Sequence, residues 1–147
     1  MRPRQIIAVL ALAGSFVALY LTLYKLGVIG ALSCSVGECE TVNTSKWAVF
    51  LGLPVAAWGL GAYIALLALS LAGLRDSLED SLPLSRALAA VAGASFLFSA
   101  WLTYLELFVI HAICIWCVTS ACIITFIFLA TIVDLRATTR STRAERG

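Results

Sequence analysis

This sequence is short of charge. Only 12% of its residues are Asp, Glu, Lys or Arg, against 62% that are hydrophobic, and that balance excludes an ordinary soluble globular domain. Histidine occurs once, as His111. No Ser-His-Asp set, no paired carboxylates and no glycine-rich phosphate loop can be assembled from what is present. Triad hydrolysis, two-carboxylate acid–base chemistry and nucleotide binding therefore have no foundation here. The formal net charge of +2 is no argument for nucleic acid either, because the arginines have another explanation.

That explanation is a membrane. Four runs, at about 6–32, 47–74, 87–113 and 114–133, reach the roughly 20 apolar residues that cross a bilayer. They predict an all-α membrane protein, a bundle of four transmembrane helices within residues 1–135, followed by a disordered basic tail over 136–147. Arg2 and Arg4 precede the first run, Arg75 and Arg86 flank the loop between the second and third, and Arg136, Arg140, Arg143 and Arg146 follow the fourth. By the positive-inside rule both termini are cytoplasmic, and residues 28–46 and the turn near 111–114 face outward. The basic start, apolar run and Cys34 resemble a lipoprotein leader superficially, but the run is too long for a signal peptide. It reads as a retained span.

Five cysteines remain to be explained: Cys34, Cys39, Cys114, Cys117 and Cys122. The first four fall at or near the outer face, which in a bacterial-type plasma membrane is the oxidising side where disulfides persist. Cys34 and Cys39 lie in the sizeable polar loop, marked by Gly37 and small polar neighbours. Cys114 and Cys117 lie where the third run reverses into the fourth. At a helix start Cys114 would have its thiolate favoured by free N–H groups, and Cys117 would follow one turn deeper on the same face. One exposed pair and one embedded pair describe an electron relay by thiol–disulfide exchange. The competing account is a zinc site of four thiolates from the same cysteines. Cys122 reads as a small apolar packing residue.

The residues also match a pattern. "CSVGECETVNTSKWAVFLGLP", followed far downstream by "CIWC", resembles the vitamin K epoxide reductase family in its bacterial form. The matching positions are Cys34, Cys39, Glu40, Ser45, Trp47, Gly52, Pro54, Cys114 and Cys117. The resemblance implies four transmembrane helices around a quinone (menaquinone, ubiquinone or a vitamin K type), with an outer loop or half-helix capping the site. It implies that Cys34 and Cys39 shuttle electrons from a thioredoxin-like extracytoplasmic protein, that Cys39 links to Cys114, and that Cys117 faces the quinone. Ser45 would belong to the segment closing over the site. Many similar proteins carry a fused thioredoxin-like domain, whereas this chain ends 30 residues after Cys117; the resemblance then implies a separate partner. The animal enzymes have a Tyr where Ala121 stands, and a quinone-bonding Asn on the second span without a counterpart here. Reoxidation of thiols by a membrane quinone is thus expected, with reduction of the vitamin K epoxide as the alternative.

The other candidates keep two readings each. Glu106 is the only carboxylate expected inside a span, and such groups are functional candidates because of their cost; it is a proton acceptor near the quinone or a wet group at the outer end. His111 stabilises a thiolate or is a solvated turn residue. Trp116 anchors at the interface or lines a ring pocket. Ser45 caps a helix, and Pro54 breaks the second run, which suggests a half-helix over 47–53. "GLGAY" at 59–63 reads as a close contact between helices made by small residues.

Overall fold

The computed structural model describes residues 2–28, 30 and 39–147, with the backbone alone described at 39, 40 and 43. Cys34 lies outside the described residues. Among the described residues four helices are long and apolar enough to cross a membrane: α1 (Pro3–Lys25), α3 (Val55–Ala72), α4 (Leu82–Leu105) and α5 (Ile115–Arg146), with the short α2 (Cys39–Thr44) between α1 and α3. Their mutual contacts run α3 to α1 to α5 to α4, and α3 with α4 closes the ring by the sparsest of these neighbouring contacts. Ile7, Ala11, Leu66, Leu88, Ala92 and Ile127 form the central packing. Phe16, Leu97 and Phe126 point outward, where lipid takes the place of protein.

Local chemistry moved several boundaries. Proline at the first turn and the Gln5 side chain, which accepts the Arg2 backbone N–H at 3.0 Å, start α1. It stops at Lys25, well before the expected residue 32, because Gly27 turns into the left-handed region (φ 81°). The Gly27 and Val28 N–H groups then bond the Tyr24 and Leu23 carbonyls at 3.1 and 3.0 Å, a Schellman closure. Proline near its start also allows α4 to begin at Leu82, ahead of residue 87. The tail expected to be disordered continues α5 as helix to Arg146.

The expected half-helix over 47–53 does not form. A single 3-10 turn (Lys46–Ala48) leads into an antiparallel hairpin of β1 (Val49–Phe50) and β2 (Leu53–Pro54), with Val49 opposite Pro54 and Phe50 opposite Leu53. Leu51 and Gly52 at its tip both have positive φ, 52° and 81°, the tight-hairpin geometry that right-twisted strands favour. Pro54 ends this segment and α3 starts directly after it. Proline breaks the run, as its missing N–H demands, but what precedes it is a hairpin.

The "GLGAY" glycines are not the close helix contact. A Cβ added at Gly59 or Gly61 would meet nothing within 4 Å. The contact is made by the tyrosine that ends the motif: a Cβ on Gly14 of α1 would fall 2.3–2.5 Å from ring carbons of Tyr63. Gly14→Ala must therefore push the ring aside. Overpacking of this kind costs about 1–3 kcal/mol, to be read as a lowered thermal midpoint in detergent.

At the end of the bundle away from Cys114 lies a buried ion pair. Arg4 donates from Nε to Asp134 Oδ1 at 3.0 Å, from Nη1 to the Gly73 and Leu78 carbonyls at 2.9 and 2.8 Å, and from Nη2 to Ser85 Oγ at 2.9 Å. Ser85 in turn donates to Asp134 Oδ2 at 2.7 Å. Gly73 closes α3, so the guanidinium also sits against the negative end of that helix. One side chain thus binds α1 to α4, α5 and the end of α3. Glu106 is accordingly not the only carboxylate within a span: α5 extends past residue 133 and carries Asp134 inside the bundle.

Candidate functional site

At the opposite end, the sparse contact of α3 with α4 leaves a cavity of about 160 Å³. All four long helices supply its walls, and its lining is dominated by apolar side chains such as Leu21, Phe98, Leu102 and Ile124. Ser45, Trp47 and Pro54, from the segment after α2, cover it. Aromatic contacts fix this cover across the gap. Trp47 meets Trp101 of α4 edge-on with ring centres 6.3 Å apart, and Phe50 packs on Phe98 of α4 at 6.0 Å. Trp58 of α3 donates its indole N–H to the Phe50 carbonyl at 2.9 Å. Such tilted and edge-on aromatic pairs are each worth about 0.5–1.5 kcal/mol beyond burial, enough to hold a short segment in place. Lys46 Nζ lies 5.2 Å from the Trp47 ring centre, within cation–π range.

The Cys-x-x-Cys pair sits where cavity and cover meet. Cys114 is the N-cap of α5, and its carbonyl accepts the first helical bond from Val118 N–H at 2.9 Å. It is fully buried and packs with Val42 of α2, Leu21 and Ala112. Cys117, three residues on, lines the cavity. The two side chains share a hydrogen bond. One sulfur thus faces the helix whose first residue is Cys39, and the other faces the ring-sized space.

Glu106 completes the arrangement. It is 5% exposed and opens a π-helical segment, Glu106–Ile110, at the end of α4. The wider turn ends at His111, whose left-handed backbone (φ 55°) reverses the chain; Ala112 N–H returns to the Glu106 carbonyl at 3.1 Å. This folds the chain so that Glu106 Oε2 accepts the Cys114 N–H at 3.3 Å, while the same side chain is hydrogen-bonded to Cys117. The carboxylate is therefore buried against both cysteines and part of the cavity wall, not wet at the surface. π segments recur at functional sites because they reposition a side chain without ending the helix.

The remaining expected residues divide. Ser45 lines the cavity, with Oγ donating to the Val42 carbonyl at 2.8 Å; by position it caps the 3-10 turn and not the second span. Trp116 is not among the cavity residues. Its ring packs on Tyr20, centres 5.1 Å apart. His111 is an exposed turn residue, and Cys122 lies on the exposed face of α5 instead of packing inside. Among the described residues no group of three or more His, Cys, Asp or Glu is placed to hold a metal. Sequence reasoning passed over Tyr63 and Ser120, which also line the cavity; only the relative rotation of α3 and α5 brings them together.

The family model described as the vitamin K epoxide reductase family matches residues 5–132, a stretch that takes in the four cysteines of the two pairs, the cover and the cavity walls. The chain belongs to the vitamin K epoxide reductase family and is a multi-pass membrane oxidoreductase.

Proposed function

We propose that this protein is a thiol oxidase of the plasma membrane, which reoxidises a thioredoxin-like extracytoplasmic protein and passes the electrons through two cysteine pairs to a quinone. The supporting observation is the division between Cys114, packed beside α2, and Cys117, which opens into the cavity. The cavity suits a quinone ring. Its volume is close to the roughly 150 Å³ of an engineered apolar cavity that accepts benzene, and its walls are apolar with few polar groups. Bound there, a quinone supplies the two-electron, two-proton acceptor that closing a dithiol to a disulfide requires.

The chain's own steps are exchanges. The partner's dithiol reduces the Cys34–Cys39 disulfide and leaves as a disulfide. The Cys39 thiolate attacks Cys114 of the Cys114–Cys117 disulfide, and Cys117 departs as thiolate. Cys34 then attacks Cys39, restoring the loop disulfide and releasing Cys114. The Cys114–Cys117 dithiol loses two electrons and two protons as its disulfide re-forms. Glu106, bonded to Cys117 and to the Cys114 N–H, orients the turn and holds the proton that leaves Cys117. Arginines on the cytoplasmic side and cysteine pairs on the outer side complete the orientation. The chain acts as one redox domain over residues 1–135.

Turnover is measured with purified protein in detergent, a reduced thioredoxin-like protein as donor, and menaquinone or ubiquinone as acceptor. Quinol formation at a catalytic rate supports the reading. No turnover with any quinone, together with stoichiometric zinc in the preparation, would replace it with a four-thiolate metal site. Reduction of the vitamin K epoxide in the same assay would assign the alternative activity. Within it, Glu106→Gln keeps an acceptor for the Cys114 N–H but cannot take a proton. A fall of about a hundredfold in kcat, the lower end for losing a proton-transfer group, is expected with the thermal midpoint unchanged. An unchanged kcat assigns Glu106 to structure alone.

A further inference from the structure

The deep end of the cavity is closed by a pair of hydroxyls that the exchange steps do not use. Tyr63 is 3% exposed, and its ring is seated against Gly14, where any side chain would collide with it. So placed, its hydroxyl lies 2.9 Å from the Ser120 carbonyl and 2.8 Å from Ser120 Oγ. Both residues line the cavity, and Ser120 is one helical turn below Cys117 on α5. Three other wall hydroxyls are committed to backbone, Ser45 to the Val42 carbonyl, Ser95 to the Val91 carbonyl and Thr103 to the Ser99 carbonyl, while Ser99 adds a further hydroxyl on the α4 side.

The hydrogens can be counted. Tyr63 and Ser120 bring two hydroxyl hydrogens. If Tyr63 donates to the Ser120 carbonyl, the Ser120 hydrogen is shared with Tyr63 Oη or turned to the cavity. If Tyr63 donates to Ser120 Oγ, the Ser120 hydrogen is released altogether. In each arrangement one hydrogen can be offered to an acceptor in the cavity with no buried group left unpaired. A ligand with a ring carbonyl satisfies that donor, and a bare hydrocarbon of equal size does not.

We propose that the Tyr63–Ser120 hydroxyl pair anchors a carbonyl oxygen of the ring ligand and makes the cavity selective for quinones over ring hydrocarbons. The proposal rests on the quinone reading above and adds the residues that fix the ligand's position. Gly14 contributes indirectly, as the residue that lets the Tyr63 ring reach this place.

Equilibrium binding tests it without turnover. Trp47 and Trp58 line the same cavity, so quenching of tryptophan emission reports occupancy by 2-methyl-1,4-naphthoquinone, with 2-methylnaphthalene as the carbonyl-free probe. Wild type should prefer the quinone. Tyr63→Phe and Ser120→Ala should each weaken quinone binding about three- to tenfold, the worth of one hydrogen bond, and leave the hydrocarbon unaffected. Thr139→Ala, whose hydroxyl bonds the Leu135 carbonyl far from the cavity, should change neither. Equal quinone affinity in wild type, Tyr63→Phe and Ser120→Ala would overturn the anchor while leaving the quinone site intact. Equal weakening of both probes would make the pair purely structural and overturn it too. If wild type binds no quinone, the ligand reading fails and the anchor with it.

Discussion

Cys117→Ala should reduce quinone turnover to the uncatalysed background while Cys114 still exchanges into a link with Cys39. The reason lies in what each sulfur can reach. Cys117 opens into the cavity, whereas Cys114 is fully buried beside Val42 of α2. Without Cys117 no dithiol can form next to the cavity, so two electrons cannot leave together. Cys114 keeps its place at the start of α5, where free N–H groups favour a thiolate, and it can still attack the loop disulfide at Cys39. Only the displaced Cys34 can resolve the product, and it does so by returning it to the loop disulfide, so the link persists in exchange with that disulfide and is captured by alkylation. Peptide mapping under non-reducing conditions would find the Cys39–Cys114 link in Cys117→Ala and not in Cys114→Ala, though both variants lose turnover. Residual catalysis of even a tenth in Cys117→Ala would refute the assignment of Cys117 to the cavity end of the relay.

Asp134→Ala should destabilise the bundle by about 3–5 kcal/mol, the loss found when one partner of a buried ion pair is removed. Arg4 and Asp134 are 4% and 7% exposed. Removing the carboxylate leaves a buried guanidinium with two carbonyls and one hydroxyl but no counter-charge. Ser85 loses its 2.7 Å acceptor as well. The paired change Arg4→Met with Asp134→Leu removes both charges and should recover most of the loss, because apolar replacements of buried pairs are commonly near neutral. Thermal midpoints of the single and double variants in one detergent decide the matter. A midpoint for Asp134→Ala equal to wild type would mean that water reaches the pair and screens it. Since the pair is remote from the cysteines, turnover per folded molecule should be unchanged.

Much of this was legible in the chain itself. Four apolar runs were readable because the bilayer rewards length and punishes charge, two signals that no neighbour can rearrange. Cys114, Cys117 and Glu106 were legible for the same reason: a thiol pair or a carboxylate in an apolar run needs an explanation. The π turn that presents Glu106 to the Cys114 N–H was not, since it depends on where α4 must end to meet α5. Arg4 was read only as a topological charge, although its burial and its partner are what distinguish it from Arg2. Asp134 was missed because hydropathy falls near residue 133 while the helix continues. Gly27 set the end of α1 through a single positive φ, which no apolar count contains. Tyr63 and Ser120 are 57 residues apart and meet only once three helices have packed. The hairpin over 49–54 lay hidden for a similar reason: its strands are too short to carry a period, and Leu51 is an unusual occupant of a left-handed position.

The clamp also has a consequence for biogenesis. Arg4 and Asp134 are 130 residues apart in the chain. At synthesis rates of roughly 5–20 residues per second, the arginine waits on the order of ten seconds for its counter-charge to be made. Through that interval a guanidinium cannot settle into hydrocarbon, and its long stem lets it stay at the headgroups instead. The amino-terminal end of the first helix is thereby kept at the headgroups on the side where it started, until the last helix brings the carboxylate. The same contact that welds the finished bundle thus acts during insertion as a tether with a delayed catch, linking the earliest helix to the completion of the last.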